Sequence, residues 1–304
     1  MTSGQLSGVL PVFSTPFTAD GSVDLGELAT EIRWMREQGA DGVVLGMVSE
    51  YLRLSDHEFA SITKVACEAS EAAPAVISVG AESTHHARER VRIATDLGAA
   101  ALMAIPPLGV SLSDEQLFGY YSDLISEGGL PFVVQDASGY VGQPLTVSLQ
   151  QRLLTAFPEL VLFKPEAQPI AARVSALRDA TKGQARIFEG TGGLALVDSY
   201  RRGIVGTMPG ADICWAIVKL WAALLRGQDE VIYALNEPIV SLVSVQTSLD
   251  AFLAVEKHLL RRQGVLKSTA IRGPVGYELD AESRAEVDRL FDRLVRQTTA
   301  GTVD

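Results

Sequence analysis

Short apolar runs recur along the chain, and amphipathic segments lie between most of them. Eight of the runs have strand-like composition: VLPVFSTPF, GVVLGM, AVISVGA, ALMAIPP, PFVVQDA, VLFKPEA, ARIFEGTG and GIVGTMPG. Nearly continuous apolar composition is typical of parallel strands that are covered by helices. Helical periodicity is found in residues 24–38, 57–72, 84–97, 113–127 and 146–157, with a shorter helix around 194–201. The pattern therefore predicts alternating strands and helices.

Three of the helical segments begin with a capping box. In this motif a Ser, Thr or Asp side chain accepts a hydrogen bond from the backbone three residues later, and a Glu or Gln at that position returns the bond. The pairs are Asp24 with Glu27, Ser55 with Glu58, and Ser113 with Gln116. They support a helix start at each of these positions.

Eight alternating units without a break in composition predict one (β/α)8 barrel, a TIM barrel. We place the barrel in residues 1–226 and a C-terminal helical extension of the same domain in residues 227–304. A doubly wound open sheet is the alternative. It would usually have fewer strands and a glycine-rich phosphate-binding fingerprint, and EGTGG (residues 189–193) is too short to be one.

Polar residues cluster where the predicted strands end. In a barrel, the active site lies at the carboxyl ends of the strands. The residues at these ends are Ser14, Thr15, Ser49, Glu50, Gln135, Asp136, Lys164, Glu166, Glu189, Thr191 and Met208. We expect these side chains to surround one site.

Lys164 is the most informative of these residues. Along a strand, alternate residues share a face, so Leu162, Lys164 and Glu166 point to one side and Val161 and Phe163 to the other. Burial disfavours the charged ammonium and so favours a free amine, although a nearby carboxylate acts in the opposite direction. A neutral amine in a dry pocket can attack a ketone and form a Schiff base. The alternative is a buried ion pair of Lys164 with Glu166 or Glu189 that performs no chemistry.

Composition narrows the class of partner. The net charge of −11 argues against nucleic acids and anionic membranes as partners. No stretch has the ~18 apolar residues of a membrane span, and the N-terminus lacks the pattern of a signal peptide. The two cysteines, Cys67 and Cys214, fit buried apolar positions better than a disulfide. We therefore expect a cytoplasmic protein, and no histidine or cysteine spacing indicates a metal site.

Together these segments resemble the dihydrodipicolinate synthase/N-acetylneuraminate lyase family of class I aldolases. The similar stretches are GVLPVFSTPFTADGSVD, GADGVVLGMVSEYLRLSDHE, VISVGAESTHHA, GIVGTMPG and the late AIRGP. The resemblance runs nearly from end to end and implies a (β/α)8 barrel with a C-terminal helical extension. It also implies that Lys164 is the Schiff-base lysine.

The chain departs from typical members at the residues that move protons. Gln135 stands where the synthase and the lyase have a tyrosine at the end of strand five. After Gly46, the residues Met47, Val48 and Ser49 replace the usual Thr-Thr or Ser-Thr pair that binds the keto-acid carboxylate. The tyrosine–threonine proton relay of the synthase is therefore absent. Tyr51 could take over proton transfer, or it could serve packing.

The substituted segments are similar to one branch of the family. SEYLRLSD, VVQDASG, FKPEA and FEGTGG resemble the branch that contains 2-keto-3-deoxy-L-arabinonate dehydratase. That branch removes water from a 2-keto-3-deoxy sugar acid through the lysine Schiff base. Ser138 and Thr191 differ from the residues of that branch, which leaves the substrate open.

We therefore expect a Schiff-base lyase that acts on a small 2-keto acid, without a metal or organic cofactor, in a homo-oligomer (dimer or tetramer). Dehydration of a 2-keto-3-deoxy sugar acid is the first hypothesis, and retro-aldol release of pyruvate is the second. A non-catalytic keto-acid sensor or assembly protein is the alternative from another class. The expected catalytic residues are Lys164, Glu166 and Glu189, and the expected substrate-binding residues are Ser49, Gln135, Met47, Val48, Thr191 and Met208.

Overall fold

Eight parallel strands form the centre of the molecule. The computed structural model describes residues 6–300. Each strand overlaps one of the eight apolar runs, and only β1 begins one residue before its run. The strands are β1 Gly8–Val9, β2 Val43–Leu45, β3 Ala75–Ser78, β4 Ala101–Ala104, β5 Phe132–Asp136, β6 Val161–Pro165, β7 Phe188–Glu189 and β8 Gly206–Thr207.

The strands close into a ring. The order β2-β3-β4-β5-β6 forms one parallel set, and β8 pairs with both β1 and β7 in a second parallel set. Isolated parallel bridges join the two sets, from Val12 to Val44 on one side and from Phe163 to Ile187 on the other. Each strand therefore has a neighbour on both sides, and the predicted (β/α)8 barrel is confirmed.

A helix follows every strand on the outside of the barrel. These helices are α1 Leu25–Glu37, α2 Asp56–Ala69, α3 Thr84–Asp96, α4 Asp114–Gly128, α5 Val147–Ala156, α6 Ile170–Ala180, α7 Leu196–Arg201 and α8 Cys214–Arg226. Two short 3-10 turns, Met47–Ser49 and Tyr51–Arg53, lie between β2 and α2. Three C-terminal helices complete the described chain: α9 Asp229–Val243, α10 Leu249–Arg262 and α11 Ala281–Ala300. The division into residues 1–226 and 227–304 stays a prediction.

Two apolar layers hold the barrel together. The inner cluster fills the barrel and consists of Leu6, Leu10, Val12, Val44, Val76, Ala101, Met103, Val133, Leu162, Phe188 and Met208. Val161 and Phe163 belong to the larger cluster between strands and helices. Leu162 therefore points inward and its neighbours outward, as the alternation along β6 predicts.

A helix begins at each of the three predicted starts, and one of the three predicted capping boxes is incomplete. Ser55 with Glu58 and Ser113 with Gln116 form both hydrogen bonds of a capping box. Asp24 accepts from the backbone of Glu27, but the Glu27 carboxylate accepts from the backbone N–H of Lys267 instead of returning the bond. Glu27 thus ties the segment after α10 to helix α1.

Lys257 fastens helix α10 to the barrel. Its buried ammonium donates to the carbonyl of Thr15 at 2.8 Å, to the carbonyl of Ala270 at 2.6 Å and to Oε1 of Glu50 at 2.5 Å. All three donors of the ammonium are used, which offsets the cost of removing the charge from water. Lys257 therefore anchors helix α10 to the loops that follow the first two strands.

Neither a membrane helix nor a disulfide is present in the part of the chain that is described. Among residues 6–300, no helix is long and apolar enough to cross a membrane. Cys214 is buried and Cys67 half-buried, and both are free thiols, in agreement with the prediction.

Three buried carboxyl groups lie near this anchor: Glu31 and Glu256 are close to Lys257, and Asp212 is close to Glu256. Glu31 accepts from the backbone of Ser14 at 2.7 Å, Glu256 from the backbone of Ala211 at 2.9 Å, and Asp212 from the side chain of Gln246 at 3.4 Å. Burial raises the pKa of Glu31 to about 8 and that of Asp212 to about 7. Burial also raises the pKa of Glu256, and the nearby Asp212 and Glu31 add to this.

These raised pKa values predict that the protein loses stability as the pH rises from about 4.5 to about 8. Between the unfolded pKa of 4.5 and the folded pKa of about 8, the folded protein binds more protons at Glu31 than the unfolded chain, so the free energy of unfolding falls as pH rises. Glu31→Gln keeps an acceptor for the Ser14 N–H. The gain in stability should be about 4 kcal/mol larger at about pH 8.5 than at about pH 5.

Urea unfolding curves at the two pH values measure this difference, with Glu68→Gln as a matched change at an exposed helix position. Equal stability of Glu31→Gln and the unaltered protein at the higher pH would contradict the raised pKa of Glu31.

Candidate active site

A cavity opens at the carboxyl ends of the strands. Its empty space, including the open mouth, is about 410 Å³. The lining residues are Val12, Met47, Val48, Tyr140, Lys164, Glu166, Gly190, Gly192, Met208, Pro209, Gly210, Leu249 and Phe252. Most of the wall is apolar, so charged groups inside it interact more strongly than they would in water.

Lys164 and Glu166 form an ion pair at this cavity. Lys164 is the fourth residue of β6, and the chain leaves the strand after Pro165. The Lys164 Nζ lies 3.1 Å from Oε1 of Glu166, and both side chains are buried. The backbone N–H of Glu166 donates to the carbonyl of Asp136 at 2.8 Å, which fixes the start of the loop. The Lys164 amine and the Glu166 carboxylate are thus both held at the carboxyl end of β6.

Gln135 supports this pair from the neighbouring strand. It lies opposite Lys164 in the β5–β6 register. Its Nε2 donates to Oε2 of Glu166 at 2.5 Å, while its Oε1 is buried without a hydrogen-bond partner among the described residues. The amide therefore orients the Glu166 carboxylate, and it does not line the cavity.

Gly190 makes room for the pair. A Cβ at this position would lie 2.6 Å from the Cε of Lys164 and 2.7 Å from the Cγ of Glu166. Real Cβ atoms do not approach other atoms this closely, so any side chain here would displace the lysine, the glutamate or both. The glycine after β7 is thus a condition for the observed geometry.

Glu189 lies behind the cavity wall. It is fully buried, and burial raises its pKa. One oxygen accepts from the backbone and hydroxyl of Thr191, and the other accepts from the Thr207 hydroxyl at 2.7 Å. Neither Glu189 nor Thr191 lines the cavity. The two residues hold the β7 turn in shape, and their predicted catalytic and binding roles stay predictions.

The expected substrate-binding residues divide into two groups. Met47, Val48 and Met208 line the cavity, as expected. The Ser49 hydroxyl instead donates to the carbonyl of Phe13 at 2.6 Å and accepts from the Gly46 N–H at 3.0 Å. It therefore stabilises the turn after β2, and its role in substrate binding stays a prediction.

Tyr51 does not reach the cavity. It is 1% exposed and belongs to the cluster between strands and helices. Its hydroxyl is buried without a hydrogen-bond partner in residues 6–300. The packing alternative is therefore the one that the geometry supports.

Three lining residues lie outside the eight predicted strand runs and were not found by sequence reasoning. Tyr140 comes from the loop after β5, and Leu249 and Phe252 come from helix α10. A signal for the helix was present in SLDAFLAVEK, where Ser248 caps the first turn and a Glu-Lys pair interrupts an apolar stripe. The same stripe also fits helix packing or an oligomer contact, because sequence does not show against what a helix packs.

The arrangement suits imine chemistry. An amine and a carboxylate lie side by side in an apolar cavity. The pair therefore places a nucleophile and a base next to each other. Within the described range 6–300, no group of three or more His, Cys, Asp or Glu side chains is placed to hold a metal ion.

Gly190→Ala should separate the geometry of the pair from the stability of the fold. The added methyl displaces the Lys164 and Glu166 side chains, and a displacement of about 1 Å can reduce a rate 10²-fold. We expect borohydride trapping of pyruvate on Lys164 to slow by about this factor with little change in melting temperature. The control is Gly119→Ala on an exposed helix face, where a Cβ meets nothing within 4 Å. Equal trapping rates in the two variants would contradict the steric argument.

Comparison with known proteins agrees with this geometry. The model of the dihydrodipicolinate synthetase family matches residues 5–294. L-2-keto-3-deoxyarabonate dehydratase of Azospirillum brasilense is 27% identical over 296 residues, which cover 94% of each chain. 4-Hydroxy-tetrahydrodipicolinate synthase of Stenotrophomonas maltophilia is 31% identical over 207 residues, which cover 66% of this chain and 68% of that protein.

A solved structure extends the match to three dimensions. Dihydrodipicolinate synthase from Rhodopseudomonas palustris superposes with a TM-score of 0.88 at 27% identity, covering 95% of this chain and 98% of that one. The resemblance inferred from the sequence motifs is thereby confirmed. The chain belongs to the dihydrodipicolinate synthetase family.

Proposed function

We propose that this protein removes water from a 2-keto-3-deoxy sugar acid through a Schiff base on Lys164. The family membership and the dehydratase relative support a lyase that acts on a keto acid. The observation that carries the proposal is the buried contact of 3.1 Å between the Lys164 amine and the Glu166 carboxylate at the cavity. Gln135 in place of a tyrosine favours the dehydratase branch over the synthase.

The first step joins the substrate to the enzyme. The Lys164 amine attacks the C2 ketone, the carbonyl oxygen leaves as water, and an iminium forms. Glu166, hydrogen-bonded to Gln135, accepts the proton that the ammonium must lose. The apolar wall excludes bulk water, which would otherwise hydrolyse the iminium.

The second step removes the C4 hydroxyl. The iminium draws electrons from C3, and the Glu166 carboxylate takes a proton from that carbon to give an enamine. The enamine electrons then expel the C4 oxygen, which leaves as water after it gains a proton. The covalent imine supplies the electron sink, so this proposal requires neither a metal nor an organic cofactor.

The substrate carboxylate would lie at the turn after β2. The sequence predicts Ser49 as a substrate-binding residue, but its hydroxyl already has two partners. The amides of Met47 and Val48 are therefore the stronger candidates, because these residues line the cavity where the 3-10 turn begins. We further propose a cytoplasmic homo-oligomer, a dimer or tetramer.

Borohydride trapping followed by peptide mass spectrometry tests the nucleophile. The protein is incubated with pyruvate, 2-keto-3-deoxy-pentonate or 2-keto-3-deoxy-hexonate, and we expect a reduced adduct on the peptide that carries Lys164. Lys164→Ala should lose the adduct and at least about 10³-fold of the turnover, whereas Lys64→Ala at an exposed position should retain both.

The products distinguish the alternatives. Release of water with the carbon chain intact supports dehydration, and pyruvate with an aldehyde indicates retro-aldol cleavage. A folded protein that binds keto acids without any adduct would overturn the proposal and favour the sensor, in which Lys164 and Glu166 form only an ion pair.

Glu166→Gln should separate imine formation from proton transfer. The amide keeps an oxygen that can accept from Gln135, but it cannot take a proton from C3. We expect the Lys164 adduct to remain and the exchange of pyruvate methyl protons with D₂O, followed by NMR, to fall about 10²–10⁴-fold. Unchanged exchange in this variant would exclude Glu166 as the base.

A further inference from the structure

The loop between β5 and α5 brings a tyrosine to the cavity. Tyr140 lines the same space as Lys164 and Glu166. It is 40% exposed, so it lies at the mouth and not at the floor. No earlier step of the proposed reaction uses it.

The loop is held firmly against the end of β6. Asp136 accepts from the backbone and hydroxyl of Ser138 and from the backbone of Leu145. The backbone N–H of Tyr140 donates to the carbonyl of Ala137 at 2.8 Å. A Cβ on Gly139 would lie 2.4 Å from the carbonyl oxygen of Glu166, so the loop backbone is in close contact with the strand end. The backbone that carries Tyr140 is therefore held in place beside the cavity.

The cavity offers few groups that can donate a proton to a departing hydroxyl. Lys164, Glu166 and Tyr140 are the only ionisable side chains among the residues that line it. Lys164 is occupied by the imine, and Glu166 takes the C3 proton while its oxygens contact Lys164 and Gln135. Behind the wall, both oxygens of Glu189 already accept hydrogen bonds from Thr191 and Thr207.

The Tyr140 hydroxyl is free to act. Within residues 6–300 it has no hydrogen-bond partner, although it lies in the field of the Glu166 and Glu189 carboxylates. Burial raises the pKa of Tyr140, and the two carboxylates raise it further. The phenol therefore carries its proton at neutral pH, although the raised pKa makes it a weaker acid than an ordinary tyrosine.

We propose that Tyr140 is the catalytic acid that protonates the leaving C4 hydroxyl. The inference rests on the proposed dehydratase function and assigns the proton donor that the missing strand-five tyrosine would otherwise supply. The phenol O–H breaks as its proton passes to the C4 oxygen, the C4–O bond breaks as the enamine forms a C3–C4 double bond, and water leaves. The phenolate regains a proton from solvent at the open mouth.

Tyr140→Phe tests the assignment because it removes the hydroxyl and keeps the ring in the wall. We expect dehydration of 2-keto-3-deoxy-pentonate to fall about 10²-fold or more, since general acid catalysis contributes 10²–10⁴-fold. Imine trapping with pyruvate and the exchange of its methyl protons with D₂O should stay within about 2-fold, because pyruvate has no C4 hydroxyl for Tyr140 to protonate. Tyr233→Phe is the matched control, since Tyr233 is 50% exposed on α9 and stacks under Arg201.

Two other outcomes would overturn the assignment. If Tyr140→Phe dehydrates the substrate as fast as the unaltered enzyme, Tyr140 is only part of the wall. If trapping and exchange fall together with dehydration, it holds the substrate or the loop instead of donating a proton. Failure of the unaltered enzyme to dehydrate any 2-keto-3-deoxy acid, with proton exchange intact, would instead contradict the dehydratase function itself.

Discussion

An ammonium and a carboxylate held together in an apolar cavity are the constraint around which the site is built. Taking two charges out of water costs several kcal/mol for each ion unless good geometry and further hydrogen bonds offset it. The 3.1 Å contact between Lys164 and Glu166 and the amide of Gln135 meet this requirement. The absence of a side chain at Gly190 permits it. The carboxyl ends of strands β5, β6 and β7 therefore provide the residues on which the proposed chemistry depends.

A second buried lysine determines the shape of the cavity. Lys257 ties α10 to the carbonyl of Thr15 and to the Glu50 carboxylate, in the loops that follow the first two strands. The same helix presents Leu249 and Phe252 to the cavity. A Cβ on Gly210 would lie 2.7 Å from the Phe252 ring, which shows how closely α10 approaches the end of β8. One lysine thus performs the proposed chemistry, and the other positions the wall.

The sequence pattern predicted the barrel because the strands are short and apolar, and because a helix with regular periodicity separates most of them from the next strand. It also predicted that Lys164 and Glu166 point to the same side of the chain at the end of β6, since this follows from the period of a strand. It could not show that the Ser49 hydroxyl is already bonded to Phe13 and Gly46, because these contacts depend on how a turn closes. Tyr140 was missed for a similar reason: a loop residue has no periodic signal, and only three-dimensional contact brings it to the lysine.

The wall provided by α10 has a consequence for how the protein matures. The ion pair of Lys257 with Glu50 joins residues 207 positions apart. During synthesis, the strands with Lys164 and Glu166 leave the ribosome well before α10, and distant contacts of this kind form late in folding. Until α10 has been made and docked, the part of the wall that Leu249 and Phe252 provide is missing. Only after the last helices have been made and docked is the amine enclosed, so completion of the polypeptide controls when the cavity becomes able to exclude solvent.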